Sequence, residues 1–319
     1  MGFDSQTTRT DVGALIPEDV SRDIINGLTG DTGWMLQLAR RLPDMSRKQR
    51  RMPVANALAT AYFVAGDTGL KQTTELDWTN VYIEAEELAV IVPIAESVLD
   101  DVDYDIWSEV RPALIDAFNV AIVQAVLYGT NIPASWTTNL GAAGLVALCT
   151  ARSKVCSIAA FTDLYEAVLG ESGAGVGDGL VGLLENQGYS PTAHVAAVGM
   201  RGRYRNCRSS VGEALFDGNL ASIDGVPVRF PADGSIVPGS ALDIVGDWRQ
   251  LVYAIRQDLT YKMLTEAVIQ DGSGNIVFNL AQQDMVALRA VMRLGFALPN
   301  PKTRMAAGGT RCPFAILTA

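Results

Sequence analysis

The sequence predicts an α+β fold, and three patterns along the chain lead to that prediction. A β pattern covers residues 48–94, with turn residues near its centre. A helical pattern follows, in which apolar residues recur at three- and four-residue steps. The chain returns to β patterns after residue 250, and no internal repeat is present, so a repeat architecture is not expected.

Residues 1–47 predict a polar arm followed by two short helices. Pro17 and Glu18 suit the first turn of a helix, because proline needs no backbone donor there and an acid favours the positive end of the helix dipole. A second short helix is predicted for residues 34–42.

Residues 48–90 predict a long two-stranded excursion. Val54 and the apolar residues 62–64 precede a turn at residues 66–69, and a second β pattern covers residues 78–94. A hairpin of two strands is marginal by itself. We therefore expect this excursion to gain its order by packing on another surface.

The long helix is predicted from residue 113 to residue 129. Proline disfavours helix at the residue before it and removes a backbone donor, so the helix is expected to start anew or to bend at Pro112. The apolar stripe that defines the helix consists of Trp107, Val110, Leu114, Phe118, Ile122 and Ala125.

The region from residue 149 to residue 259 predicts a separate mixed domain. Its patterns are helical at residues 161–169 and β at residues 193–199 and 226–230. The later β patterns, interrupted by a turn at residues 271–275, lie at residues 251–255, 262–270, 285–298 and 314–317.

Composition favours self-association. The chain has 319 residues, of which 49% are hydrophobic and only 19% charged, so it carries more apolar surface than one copy comfortably hides. Its net charge of −10 and pI near 4.7 argue against a surface that grips nucleic acid throughout, so any such contact must be local. Charged and polar residues interrupt every long apolar run, and no signal peptide is present, so no membrane contact and a cytoplasmic site of synthesis are expected.

Few residues suggest catalysis or metal binding. The single histidine, His194, lies among apolar neighbours, so a histidine satisfied by a core hydrogen bond is favoured over a general base. The cysteines do not have metal-ligand spacing and are expected to be buried free thiols; they are Cys149, Cys156, Cys207 and Cys312. We expect no enzymatic activity, no cofactor and no metal.

Two further motifs each allow a ligand-binding interpretation and a purely structural one. Residues 172–179 are rich in glycine but do not have the closing Lys-Ser/Thr of a phosphate loop, so a surface loop is favoured over a nucleotide site. Asp100, Asp101, Asp103 and Asp105 could collect calcium, but the spacing is not that of a calcium loop. Acids at a helix entry explain this cluster adequately.

Two basic runs stand out in the acidic chain. Arg47, Lys48, Arg50 and Arg51 form either a solvated or subunit-bridging face or a DNA-facing basic patch that touches phosphates without sequence preference. The second run comprises Arg201, Arg203, Arg205 and Arg208 around Tyr204. For it, salt bridges between subunits are favoured over a nucleic-acid site with a stacking aromatic.

The order of these elements resembles the major capsid proteins of tailed bacteriophages with the Hong Kong 97-type fold. The stretches that carry the resemblance are residues 81–101, where a strand runs into an acidic helix entry, residues 246–251, with Gly246, Asp247 and Trp248, and residues 284–298, a closing strand with Arg289 and Arg293. The resemblance implies an N-terminal arm, an extended β-hairpin loop, a peripheral domain with a long spine helix, and an inserted axial domain. The implied segments are 1–47 (arm and start of the peripheral domain), 48–90 (extended loop), 91–148 (peripheral domain with spine helix), 149–259 (axial domain) and 260–319 (peripheral domain, C-terminal strands).

The resemblance also implies a function. A structural major capsid protein self-assembles into pentamers and hexamers of an icosahedral head that encloses double-stranded DNA, with scaffolding, portal and decoration proteins as further partners. Such a protein is located in the virion capsid and is assembled in the host cytoplasm. The alternatives are an encapsulin-type nanocompartment shell and, from another class, a soluble α/β enzyme.

The extended loop implies the contacts between subunits. In the family this loop lies over a neighbouring subunit, so Gly69, Lys71 and Trp78 are the expected inter-subunit contacts. Some members link their subunits by a lysine–asparagine isopeptide bond, for which Lys71 is a candidate by position. The acceptor does not carry over: Asn275, Asn279 and Asn300 are the late asparagines, and no acid that could assist the reaction lies among the apolar residues that follow Asp284.

Overall fold

The computed structural model describes residues 33–64, 66, 69–101, 106–170, 178–208, 211–216, 219–305 and 311–319. The helices in these ranges are α1 (Trp34–Leu38), α2 (Glu96–Asp101), α3 (Ile106–Tyr128), α4 (Thr137–Leu140), α5 (Gly144–Ala151), α6 (Leu164–Leu169), α7 (Gly182–Glu185) and α8 (Met200–Asn206). The strands are β1 (Arg40–Arg41), β2 (Gln49–Ala55), β3 (Trp78–Glu84), β4 (Glu86–Ala95), β5 (Val155–Ser157), β6 (Ala193–Ala196), β7 (Ser222–Ile223), β8 (Val226–Arg229), β9 (Asp243–Gly246), β10 (Val252–Leu264), β11 (Val268–Gln270), β12 (Ile276–Asn279), β13 (Met285–Ala297) and β14 (Phe314–Thr318). The helix expected at Pro17, the glycine-rich residues 171–177, and Asp103 and Asp105 lie outside the described residues.

A four-stranded sheet in the order β1-β10-β13-β4 shares a core with the long helix. Strand β13 is antiparallel to both β10 and β4. Because side chains alternate along a strand, every second residue of β13 points into the main core. These residues are Leu288, Ala290, Met292, Leu294 and Phe296.

Helix α3 is continuous across Pro112, so the predicted fresh start or bend is replaced by one helix that begins earlier, at Ile106. Its segment Val110–Tyr128 is long and apolar enough to cross a membrane by length and composition alone, although polar interruptions led us to expect no such segment. A core helix passes the same test. Leu114, Phe118 and Ile122 of the predicted stripe are buried in the main core.

A six-stranded sheet in the order β5-β14-β9-β6-β8-β7 forms the second body of structure. Strand β14, the last strand of the chain, lies between β5 and β9; it is parallel to β5 and antiparallel to β9. The sequence grouped residues 260–319 together, but residues 314–318 pair inside the sheet of the mixed domain. The physical reason is that Phe314–Leu317 are all buried, which is typical of a strand covered on both faces.

The hairpin of β2 and β3 pairs from Gln49 opposite Glu84 to Ala55 opposite Trp78. The second β pattern therefore divides at Ala85, and β4 belongs to the four-stranded sheet instead. Apolar residues 62–64 lie in the loop between β2 and β3, not in a strand. A smaller core closes the junction of hairpin and sheet; it contains Met45, Ile83, Ala85, Val252, Ala254 and Ala297.

Other predicted elements are confirmed, some of them with shorter bounds. The turn at residues 271–275 connects β11 and β12, and the predicted strand at residues 262–270 is interrupted between β10 and β11. The helix expected at residues 34–42 ends at Leu38, and the one expected at residues 161–169 begins at Leu164, where Asp163 caps it by accepting a hydrogen bond from Glu166 N at 2.9 Å.

Candidate assembly interface

The loop between β2 and β3 leaves its largest apolar side chains in solvent. Phe63 is completely exposed, Leu70 is 91% exposed, and Tyr62, Leu76 and Trp78 are at least half exposed. Large apolar side chains clustered in this way are typical of a contact with another protein. The loop that connects the two predicted strands is thus an exposed apolar segment.

The base of this loop is fixed to the body of the protein. The backbone N–H of Asn56 donates to the Asp77 carbonyl at 2.8 Å, and the Asn56 side-chain amide donates to the Asp77 carboxylate at 2.9 Å. On the C-terminal side, Lys302 N donates to the Ala55 carbonyl at 3.1 Å and Arg304 Nη2 to the Ala59 carbonyl at 2.7 Å. These bonds define where the loop leaves the hairpin.

The expected contact residues all lie on this segment. Lys71 is exposed and makes no ion pair with any described residue. Gly69 is half-buried, and Trp78 begins β3 with 61% of its surface exposed. Their positions are compatible with a contact on another subunit, which stays a prediction.

A partly apolar cavity of about 210 Å³ lies beside the long helix, with Glu86, Glu87, Gln124, Thr130 and Asn131 as its polar lining. Its apolar lining comes from α3, β4 and β13 together with the turn before α4, and consists mainly of Leu88, Ile122, Ala125, Trp136 and Leu294. An apolar cavity of roughly 150 Å³ is enough to hold a benzene ring. The cavity can therefore accept one aromatic or large aliphatic side chain.

Trp136 is the residue that shapes this cavity. Its indole N–H donates to the Glu84 carbonyl at 2.9 Å, and its ring packs edge-on against Phe296 with centroids 5.5 Å apart. Nearby, Ser135 Oγ donates to Glu86 Oε1 at 2.9 Å, and Asn139 Nδ2 donates to the Tyr82 carbonyl at 2.9 Å. The turn before α4 is thereby tied to the hairpin and to β4.

Two acids at the cavity already have cationic partners. Glu87 and Arg293 are direct partners across β4 and β13, and the Arg293 guanidinium donates to Glu87 Oε2 through Nε at 2.8 Å. Lys48 Nζ lies 3.3 Å from Glu86 Oε1. Both pairs are partly exposed, so each contributes at most about 1 kcal/mol to the stability of the subunit.

The structure separates the members of the first basic run. The Arg50 guanidinium donates to the carbonyls of Pro43 and Asp44, at 2.5 and 3.0 Å, and Lys48 pairs with Glu86. Arg47 and Arg51 are exposed and make no ion pair with a described residue. Only these last two cations therefore remain available to an external anion.

Tyr204 is not available to stack on a base. It is completely buried on α8, and its hydroxyl donates to Asp243 Oδ2 at 2.7 Å. Burial, and then the Asp243 carboxylate, hold the pKa of Tyr204 well above its usual value of 10. The second basic run therefore presents arginines to solvent without an accessible aromatic.

His194 belongs to the same buried network. Its Nδ1 lies 3.0 Å from Asp243 Oδ2, and both side chains are completely buried. The expectation of a core histidine held by a hydrogen bond is confirmed. Burial of this kind withholds the imidazole from any external substrate.

The cysteines are free thiols, as expected. Cys149, Cys156 and Cys312 are buried and Cys207 is half-buried. Within the part of the chain that the structure describes, no cluster of three or more His, Cys, Asp or Glu residues could hold a metal ion.

The sequence did not indicate the cavity or its tryptophan. Trp136 lies in a stretch that we interpreted only as turn-rich, and the cavity lining comes from segments far apart in the chain. A tryptophan in a short turn directly after a long helix was the one available signal.

Comparison with known proteins gives a consistent result. A family model described as the Phage capsid family matches residues 12–303. The chain is 26% identical over 250 residues to the "Major capsid protein" of Staphylococcus phage 80alpha, covering 76% of this chain and 69% of that protein.

Solved structures agree over almost the whole length. A chain from Microbacterium phage Oxtober96 is 29% identical with a TM-score of 0.81, covering 98% of this chain and 99% of that one. A chain from Mycobacterium phage Adephagia is 27% identical with a TM-score of 0.78, covering 98% of each. These likenesses confirm the Hong Kong 97-type fold that the order of elements predicted.

Proposed function

Because the chain belongs to the phage capsid family, and is therefore a structural capsid protein of the virion, we propose that its copies assemble into the pentamers and hexamers of an icosahedral head around double-stranded DNA. One observation carries the proposal: the loop between β2 and β3 exposes a set of large apolar side chains that no described residue of the subunit covers.

The apolar loop of one subunit packs on a neighbouring subunit in this proposal. Its most exposed aromatic residue, Phe63, is an anchor of the right size for the cavity beside Trp136. Aromatic anchors that fill an apolar pocket supply most of the energy of a typical protein contact. Lys71, Gly69 and Trp78 lie on the same segment and would contact the neighbour around this anchor.

The division into domains is part of the same proposal. The peripheral domain would contain residues 91–148 with α3 and the chain from residue 260 with β13, and the axial domain would contain residues 149–259 together with β14. Residues 1–47 would form the arm and the start of the peripheral domain, and the loop at residues 48–90 would reach a neighbouring subunit. This arrangement adds β14 to the axial domain because it pairs with β5 and β9.

Further partners follow from the role of a capsid. Arg47 and Arg51 are the cations we assign to contact with DNA phosphates, since Lys48 and Arg50 are already engaged. Scaffolding, portal and decoration proteins are the protein partners that a growing head requires. We place assembly in the host cytoplasm, and Lys71 remains the candidate for a covalent link between subunits.

Substitution of the anchor tests the proposal. Phe63→Ser removes an apolar side chain that makes no buried contact within the subunit, so it should leave the subunit fold intact while raising the protein concentration needed for assembly by about tenfold or more. Sedimentation and electron microscopy measure assembly, and circular dichroism measures the fold.

The matched control is Phe63→Leu, which keeps a large apolar side chain at the same position. It should assemble much more readily than Phe63→Ser. Shells of Phe63→Ser that form at the concentration and yield of the unmodified chain would contradict the role of this residue and weaken the proposed loop contact.

A further inference from the structure

Two thiols meet in the main core beside the six-stranded sheet, away from the proposed assembly surfaces. Cys149 is on α5 and Cys312 precedes β14, and their Sγ atoms are 3.6 Å apart. Both residues are completely buried. The remaining thiols, Cys156 and Cys207, donate to backbone carbonyls instead.

Hydrogen bonds hold the two segments that carry these thiols. Lys154 N donates to the Cys149 carbonyl at 2.8 Å, and Ile316 N donates to the Lys154 carbonyl at 3.0 Å, so the end of α5 is connected to β14. Cys312 N donates to Gln187 Oε1 at 3.0 Å. The sulfurs therefore face each other from backbone segments whose relative position is already fixed.

The distance between the sulfurs is close to that of a covalent pair. A disulfide requires a sulfur–sulfur distance of about 2.05 Å. Starting from 3.6 Å, rotation of the two side chains must shorten the distance by roughly 1.5 Å.

The surroundings distinguish the two thiols. The hydrogen bond between the two thiols lowers the pKa of Cys312; Arg152 and Lys154 act in the same direction, and burial opposes them. The same hydrogen bond and burial raise the pKa of Cys149. Cys312 is therefore the thiol that reaches the reactive thiolate form more readily.

We propose that Cys149 and Cys312 form a disulfide within one subunit when a small peroxide reaches the buried pair through local opening of the fold. The Cys312 thiolate attacks one oxygen of hydrogen peroxide, the O–O bond breaks, and hydroxide leaves, which produces a sulfenic acid on Cys312. The Cys149 sulfur then attacks the Cys312 sulfur; its proton passes to the departing hydroxyl, which leaves as water. In total, two thiols and one hydrogen peroxide give one disulfide and two molecules of water.

The bond would fasten β14 to α5. The two cysteines are 163 positions apart in the chain, so the disulfide closes a long loop and restricts the unfolded chain. We expect the melting temperature of the subunit to rise by roughly 5 °C or more on oxidation. The same disulfide would retain the last strand in the sheet of the proposed axial domain.

The test uses the full chain before and after treatment with hydrogen peroxide, followed by unfolding in guanidinium with N-ethylmaleimide and peptide mass spectrometry. The reduced protein should take up label on all four cysteines. After oxidation, Cys156 and Cys207 should still be labelled, and a cross-linked peptide should join Cys149 to Cys312 with the loss of two hydrogens. Cys207→Ser should keep the cross-link, and Cys312→Ser should lose both the cross-link and the rise in melting temperature.

Labelling of both Cys149 and Cys312 after oxidation would overturn the proposal, as would oxidation of either one to a sulfinic acid without a cross-linked peptide. Peptide mapping of the unmodified chain decides the question even where a variant folds poorly. Electron microscopy of the same samples scores shell formation separately, so a failure of the disulfide is distinguishable from a failure of assembly.

Discussion

Single residues in this protein have environments that only the folded chain creates. His194, Asp243 and Tyr204 form a buried polar network in which one carboxylate oxygen accepts two hydrogen bonds. The apolar neighbours of His194 in the sequence indicated its burial correctly. They could not indicate its partners, because Asp243 is 49 positions away.

The buried hydroxyl of Tyr189 makes the free energy of unfolding depend on pH in the alkaline range. Burial raises the pKa of Tyr189 to about 12, and its hydroxyl donates to Asn300 Oδ1 at 2.7 Å. Above pH 10 the unfolded chain loses this proton while the folded chain keeps it, so the protection is complete below about pH 10 and is lost as the pH rises toward 12. Between these values we expect the free energy of unfolding to fall by about 1.4 kcal/mol per pH unit from this group.

Urea unfolding of the unassembled subunit at several alkaline pH values measures this effect. Tyr189→Phe should make the fall in the free energy of unfolding less steep, and Tyr62→Phe, at an exposed position, should leave it unchanged. An equal pH dependence for Tyr189→Phe and the unmodified chain would show that this hydroxyl does not titrate as described.

At the scale of elements, local periodicity predicted the long helix and the longer strands, but the short helices α4, α5, α7 and α8 and the close approaches between elements were not predicted. Strand β13 was expected from its pattern, yet nothing in that pattern explains Gly295. A Cβ atom on Gly295 would collide with the backbone of Glu84 and the side chain of Ile83. The glycine thus allows the hairpin to lie directly against the four-stranded sheet.

Gly295→Ala should therefore destabilise the subunit by about 1–3 kcal/mol, the usual cost of forcing an extra carbon into a packed site. Gly202→Ala on α8 is the control, since a Cβ there meets no atom within 4 Å and alanine favours a helix. Urea midpoints give both values. Equal stability of Gly295→Ala and the unmodified chain would mean that hairpin and sheet separate without cost.

The placement of β14 shows the second limit of local patterns. A run of apolar residues predicted a strand at residues 314–317 correctly, but the choice between two sheets depends on pairing with β5 and β9. The assembly surface could be predicted only in part for the same reason. The projecting loop was predicted from its local pattern, whereas the cavity that could receive Phe63 was not, because its lining comes from four separate segments of the chain.

At the scale of the whole molecule, net charge and local charge have different consequences. The chain carries a net charge of −10, so packaged DNA can be contacted favourably only where cations are not already paired. Arg51→Glu should reduce the yield of DNA-filled particles while empty shells still form. Arg249→Glu changes an exposed arginine outside the first basic run; it alters the net charge equally and should not reduce packaging.

Ultraviolet absorbance of purified particles, together with electron microscopy, separates filled from empty shells for these variants. Equal packaging by Arg51→Glu and the unmodified chain would remove Arg51 from the DNA-facing surface. Loss of packaging by both variants would mean that net charge, and not position, decides the outcome.

The most direct test of the account is cryo-electron microscopy of the full chain, expressed with the gene products that normally accompany it. We predict closed shells in which the apolar loop between β2 and β3 of one copy lies on the body of another, with Phe63 in the cavity beside Trp136. A stable single subunit at high concentration, with that loop folded against its own body, would contradict it.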